Sequence, residues 1–169
     1  MKNLNIEKNK NIWEEIVTQL AEKKLTIATM ESCTGGGIAN EITNISGASS
    51  ILKESYITYC NEAKIKNGVS AEVIKNYTVY SAETAVEMAK AAKKQAHSDI
   101  SIGITGQLGR IDPNNIVDKL NCVWYAIVDP DENIIVKELK VDDDERKIQK
   151  GIVIREVANT LLIKILVQM

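Results

Sequence analysis

At 169 residues, with 44% hydrophobic and 26% charged side chains, the chain has the length and composition of one ordinary globular domain, which excludes disordered, collagenous and disulfide-framework classes. Twenty-one basic against 23 acidic residues leave a net charge of -2, without the basic footprint that nucleic-acid binding demands. No run of about 18 apolar residues occurs and the first twenty residues lack a signal-peptide apolar region, so the expectation is a cytoplasmic protein without a membrane span.

In chain order, Ile12, Trp13, Ile16, Val17 and Leu20 recur at helical spacing and predict an amphipathic helix over about 9–23. A short apolar strand, 25–30, runs into polar residues and the glycines Gly35, Gly36 and Gly37, after which Ile38, Ala39, Ile42 and Ile45 return to helical spacing. A short helix is expected at 49–51, a β-branched and aromatic strand at 55–60, and a helix at 61–66. A small helix follows Ser70. Ser81 is an N-cap for a helix whose stripe of Ala82, Ala85, Val86, Ala89, Ala92 and Ala96 implies close packing on a sheet. Ile100, Ile102 and Ile104 mark a buried strand ending in Thr105-Gly106, and 123–128 with 134–141 form a hairpin around Asp129-Pro130-Asp131-Glu132-Asn133. The last helix covers about 144–167. Strands alternating with helices, closed by a hairpin, predict an α/β sandwich with a largely parallel sheet and one antiparallel strand. The one long irregular stretch, 106–120, has the length of a binding loop at the carboxyl end of a strand, where open α/β sheets hold their ligands.

The chemistry concentrates in two segments. Glu31-Ser32-Cys33-Thr34-Gly35-Gly36-Gly37 sets two hydroxyls and a thiol on a strand-to-helix turn, where glycines permit close backbone approach and helix amides attract an anion. Such a turn suits a phosphate, or an oxyanion hole beside a nucleophilic Ser32 or Thr34; it equally suits a tight turn with Ser and Thr capping a helix. Tyr59-Cys60-Asn61-Glu62-Ala63-Lys64 places a phenol and an amine at the end of the next strand. A desolvated Lys64 can serve as a base, although it is one of 18 lysines and a solvated helix face is the ordinary place for one. His97 is the sole histidine and sits at the end of a helix, so His-based triads and His-rich metal sites are set aside. Cys33, Cys60 and Cys122 are odd in number and widely spaced, as reduced thiols are. A dinucleotide-binding fold is disfavoured by the lack of a Gly-x-Gly-x-x-Gly fingerprint.

In order and spacing, Glu31-Ser32-Cys33-Thr34-Gly35-Gly36, Gly47-Ala48-Ser49-Ser50, Tyr59-Cys60-Asn61-Glu62-Ala63-Lys64, Gly68-Val69-Ser70, Val79-Tyr80-Ser81 and Thr105-Gly106 resemble the C-terminal domain of the competence/damage-inducible CinA proteins. The resemblance runs from about 9 to 167. It implies a single three-layer α/β/α domain with a mixed, mostly parallel five-stranded sheet, in the stand-alone form of a family that associates as homodimers or larger. It implies a nicotinamide-nucleotide amidohydrolase, turning nicotinamide mononucleotide and water into nicotinate mononucleotide and ammonia, with no metal or cofactor. On that reading Ser32 attacks the carboxamide, Lys64 takes its proton, and Tyr59 orients or relays it. Thr34, Gly35 and Gly36 stabilise the oxyanion or hold the phosphate, Thr105 and Gly106 line the opposite wall, and Thr34 is the reserve nucleophile. Asn61 either bonds the nicotinamide or caps a helix.

The chain departs from the pattern at the loop after Thr105-Gly106. A run of the type Ile-Ala-Gly-Pro-x-Gly-Gly is replaced by Gln107-Leu108-Gly109-Arg110-Ile111-Asp112-Pro113-Asn114-Asn115. Arg110 is a compensating phosphate ligand or a solvent-facing loop residue. Asp144-Glu145-Arg146 with Lys150 reproduces the family's charged start to the last helix with one residue inserted, and reads as an ordinary helix-start charge cluster rather than a site. The alternative to an active amidohydrolase is therefore an inactive or nucleotide-binding-only homologue with an altered 106–120 loop.

Overall fold

The computed structural model describes residues 11–115 and 119–163. The expected helical residues 9–10 and 164–167, and residues 116–118 of the loop, lie outside these. Five strands, β1 (Ile27–Glu31), β2 (Leu52–Ile57), β3 (Ile100–Gln107), β4 (Cys122–Val128) and β5 (Ile134–Lys140), form one sheet in the order β2-β1-β3-β4-β5. β1 pairs parallel with β2 and β3, whereas β4 is antiparallel to β3 and to β5, so β4 alone runs against the other strands. That is the mixed sheet the alternating pattern and the hairpin predict.

Side-chain alternation along β3 explains the three layers. Ile100, Ile102 and Ile104 face a core shared with Ile16 and Leu20 of α1 (Ile12–Glu22), Ile38 and Ile42 of α2 (Gly37–Thr43), and Val153 and Val157. The small residues between them face the long helix Ala82–Ala96 on the other side. There Ser101 Oγ donates to the Ala89 carbonyl at 2.8 Å, and a Cβ on Gly103 would stand 2.3 Å from Ala85 O and Ala89 N. The alanine stripe and Gly103 let helix and sheet backbones meet, the close packing the stripe implies.

The other helices are α3 (Asn61–Lys66), α4 (Ala71–Tyr77), α5 (Ala82–Ala96) and α6 (Arg146–Leu161), with a 3₁₀ turn at Ala48–Ser50. Ser81 caps α5 by accepting from Thr84 N at 3.1 Å, as expected.

One boundary shifts. The strand expected at 55–60 is β2, Leu52–Ile57, because its parallel partner β1 ends at Glu31, opposite Ile57, before the chain turns away at Ser32. Thr58, Tyr59 and Cys60 thus bend out of the sheet toward α3. The register aligns the carboxyl ends of β1, β2 and β3, with Glu31 opposite both Ile57 and Ile104, so Ser32, the 58–61 turn and Thr105-Gly106 converge at one end of the sheet. The chain leaves β1 for β2 on one side and then crosses from β2 past β1 to β3 on the other, so the strand order reverses at β1, the position where open α/β sheets leave a crevice.

Candidate active site

The strand-to-helix turn after β1 is organised by a buried carboxylate. Glu31, fully buried, accepts from Ile38 N at 3.0 Å, Ala39 N at 2.9 Å and the Thr34 hydroxyl at 2.7 Å. It thereby satisfies first-turn amides of α2, whose N-cap Gly36 offers no side chain. Gly35 and Gly36 adopt φ of +62° and +88°, a conformation that β-carbon residues resist and that lets the chain fold back so tightly. This corrects three expectations. The capping group is Glu31, not Ser32 or Thr34. Thr34 has no exposure and spends its hydroxyl on Glu31, so it is neither a reserve nucleophile nor a ligand donor. Gly35 N donates to Ser32 O at 3.0 Å and is not offered to an anion.

Exchanging Glu31 for glutamine would set an amide N–H among these donors. Glu31→Gln is expected to lower stability by ~3 kcal/mol, roughly 10 °C in Tm, and thermal denaturation followed by circular dichroism checks it; an unchanged Tm refutes the role.

With the turn fixed, Ser32 faces the one residue that sequence reasoning paired with it. Lys64 is the single fully inward side chain of α3, 1% exposed, and its Nζ lies 3.1 Å from Ser32 Oγ and 2.8 Å from the Thr58 carbonyl to which it donates. The early end of β2 supplies that carbonyl, since Thr58 O has left the ladder. Burial lowers the amine from 10.5 to about 8, outweighing the opposing influence of Cys33, Cys60 and Asp112. Ammonium donates to Ser32; the free amine would accept its proton. Cys33 packs in the core, and burial pushes its thiol up to about 12, which fits a small core residue rather than a nucleophile.

Ser32 opens onto a cavity of about 960 Å³, toward the upper end for small-ligand sites. Tyr59, Asn61, Gly106 and Arg110 also line it. Tyr59 is 64% exposed, and its hydroxyl accepts from Arg146 Nη2 at 3.0 Å; it pairs with the last helix and not with Lys64. Asn61 does not cap α3, whose N-cap is Cys60, and instead donates to Asn115 Oδ1 at 2.9 Å. Thr105 turns the other way: fully buried, it donates to Val79 O at 2.7 Å and is not a wall residue. Gly106 reaches the wall, yet its lack of a side chain answers to packing, because a Cβ there would lie 2.5 Å from Cys122 O.

Two residues were passed over. Arg146, read as a helix-start charge, projects into the cavity, donating to Leu108 O as well as to Tyr59. Its only signal was the charged start of α6, and no local spacing connects position 146 with position 59. Glu31 was legible as a member of the block but not as its organiser, since the helix amides it accepts from lie seven and eight residues on.

The altered loop is held by side chains where glycines were expected. Gly109 N donates to Asn121 Oδ1 at 2.9 Å, and Asp112 N to Gln107 Oε1 at 2.8 Å. In the described part of this loop Gly109 alone takes a positive φ, +79°.

Residues 9–165 match the profile of the CinA C-terminal domain family. The chain belongs to that family. A CinA-like protein of Kosmotoga olearia is 40% identical over 138 residues, 80% of this chain and 33% of the relative. The chain thus spans about a third of the length of such curated CinA relatives. Among solved structures, the competence/damage-inducible protein CihA of Agrobacterium tumefaciens superposes with a TM-score of 0.81 at 27% identity, covering 90% of this chain and 95% of that one. A CinA-superfamily protein of Escherichia coli gives 0.81 at 25% identity, covering 94% and 98%. No helix among the described residues is long and apolar enough to cross a membrane.

Proposed function

We propose that this CinA domain is an amidohydrolase that converts nicotinamide mononucleotide and water into nicotinate mononucleotide and ammonia. One observation carries the reading: a buried amine of lowered basicity stands 3.1 Å from a hydroxyl at the wall of a ligand-sized cavity. Lys64, as free amine, removes the Ser32 proton while Oγ attacks the carboxamide carbon. The resulting ammonium donates its proton to the departing nitrogen as ammonia leaves, and the acyl-serine remains. Water then adds to the ester carbonyl, Lys64 accepting its proton and returning one to Ser32 Oγ. The Thr58 carbonyl orients the amine, as the third member of a triad orients its base. The Cys33 amide, next after the nucleophile, is suited to the oxyanion.

At the other end of the substrate, Arg146 and Arg110 suit the phosphate. Arg146 is held by Leu108 O and Tyr59, and the remaining N–H groups of a guanidinium suffice for a bidentate contact. Tyr59 belongs to this placement role: its oxygen accepts from Arg146, so its own proton can reach the ligand.

A second reading, a homologue that binds the nucleotide without turnover, draws on the side-chain-fastened loop that replaces the glycine-rich run. Release of ammonia and nicotinate mononucleotide in equal amounts by purified protein separates the two. A folded protein that binds the nucleotide and releases neither would leave the binding reading in place.

A further inference from the structure

We propose that Asp112 determines specificity by acting as the fixed counter-charge for a cationic, N-ribosylated pyridinium ring, selecting that class of nucleotide over those with a neutral ring. The inference rests on the nucleotide reading above and concerns the segment in which this chain departs from its family resemblance.

The carboxylate is built in rather than left loose. Asp112 Oδ2 accepts from the Tyr80 hydroxyl at 2.7 Å and from Asn115 Nδ2 at 2.8 Å, and Oδ1 accepts from Asn114 N at 2.9 Å. Asn115 is bonded in turn to Asn61, at the start of the helix that carries Lys64, so the loop's charge is fixed relative to the Ser32-Lys64 pair. These hydrogen bonds, that from Asn115 foremost, hold the Asp112 carboxyl below the usual carboxylate range, so it stays ionised at neutral pH. Asp112 and Asn61 line the same cavity as Ser32, and the Asn115 bridge ties Asp112 to the first residue of α3, one turn before Lys64, which puts Asp112 at the α3 end of the cavity. A ring that presents its carboxamide to Ser32 lies at that end.

The chemistry of the ring matches this carboxylate. A pyridinium nitrogen bonded to ribose has no N–H to give, so it calls for negative charge and not for an open acceptor. A carboxylate whose oxygens are already engaged supplies that without a further hydrogen bond. Two other charged side chains of the wall, Arg110 and Arg146, favour phosphate and repel a cationic ring. Glu62 also lines the cavity but is exposed, where water screens it; Asp112 is half-buried. Asp112 is therefore the half-buried negative charge that the wall offers to a cationic ring.

The test is calorimetric binding to full-length protein carrying Ser32→Ala, which prevents turnover, with and without Asp112→Asn. The ligands are nicotinamide mononucleotide, its reduced dihydropyridine form with a neutral ring, and nicotinate mononucleotide, whose ring carboxylate offsets the ring cation. Asp112→Asn is expected to weaken the cationic amide roughly tenfold and the other two by less than about threefold. Tyr80→Phe, which keeps the charge and removes one of its hydrogen bonds, is expected to preserve the ranking. Equal weakening of all three ligands by Asp112→Asn, or an unchanged ranking, overturns the assignment and leaves Asp112 a loop brace. Failure of the Ser32→Ala protein with Asp112 intact to bind any of the three overturns the nucleotide reading itself, and this inference with it.

Discussion

Ser32→Ala is expected to abolish release of ammonia from nicotinamide mononucleotide, lowering kcat by about 10⁴-fold or more while the protein stays folded. The magnitude follows from the loss of a nucleophile that acts as a unit with its base. No neighbouring group can replace it. The Thr34 hydroxyl, two residues on, is buried and committed to Glu31, and the Cys33 thiol is turned into the core with its ionisation suppressed by burial. The fold should tolerate the change, because among the described residues the Ser32 hydroxyl bonds the Lys64 amine alone, and that amine keeps the Thr58 carbonyl; a stability change of less than about 1 kcal/mol is expected. Coupled measurement of ammonia and nicotinate mononucleotide checks the prediction, and a variant with wild-type turnover removes Ser32 from the mechanism.

Lys64→Met is expected to remove activity and to change how stability depends on pH. In the folded protein burial holds the amine at about 8, against an ordinary 10.5 for an exposed lysine. The unfolded chain then binds more protons than the folded one between these values, so wild-type stability rises as the pH climbs through this window. At neutral pH the fold carries a charge it would rather not bury. Methionine carries none, and comparing the two proteins cancels the titration of every other group. Between pH 7 and pH 10 the wild type is expected to gain about 2 kcal/mol relative to Lys64→Met in urea unfolding. Parallel pH dependences would show that Lys64 titrates as a solvated lysine. In the same range kcat/KM of the wild type should rise with pH, reach half its maximum near 8 and level off above that, since the base works as free amine.

A buried lysine beside the Ser32 hydroxyl is thus a local cost in stability, and the surrounding structure offsets it. The half-buried Asp112 and the Thr58 carbonyl are placed to ease that charge without quenching it. The same arrangement shows how the two short blocks of this chain work together: the Glu31 block shapes the turn that presents Ser32, and the Tyr59 block supplies the amine beside it.

By itself the sequence determined the layers, while the pairing of Ser32 with Lys64 came with the family resemblance. The isoleucines at 100, 102 and 104, the alanine stripe of α5 and the glycine turn after β1 are periodic or local features, and local physics reads them. The parallel register of β1 and β2 brings together the segments that follow them, Ser32 directly after β1 and α3 with Lys64 after β2. What tertiary structure alone decided are contacts without a local period. Thr34, Gly35 and Thr105 had the chemistry of site residues, but burial directs the two hydroxyls to Glu31 and Val79 and the glycine amide to Ser32. Arg146 had the look of a helix-start charge, and the packing of α6 against the sheet carries it to Tyr59, 87 residues away in sequence. Residue type limits what a side chain can do. Only the fold decides which of its possible partners it meets.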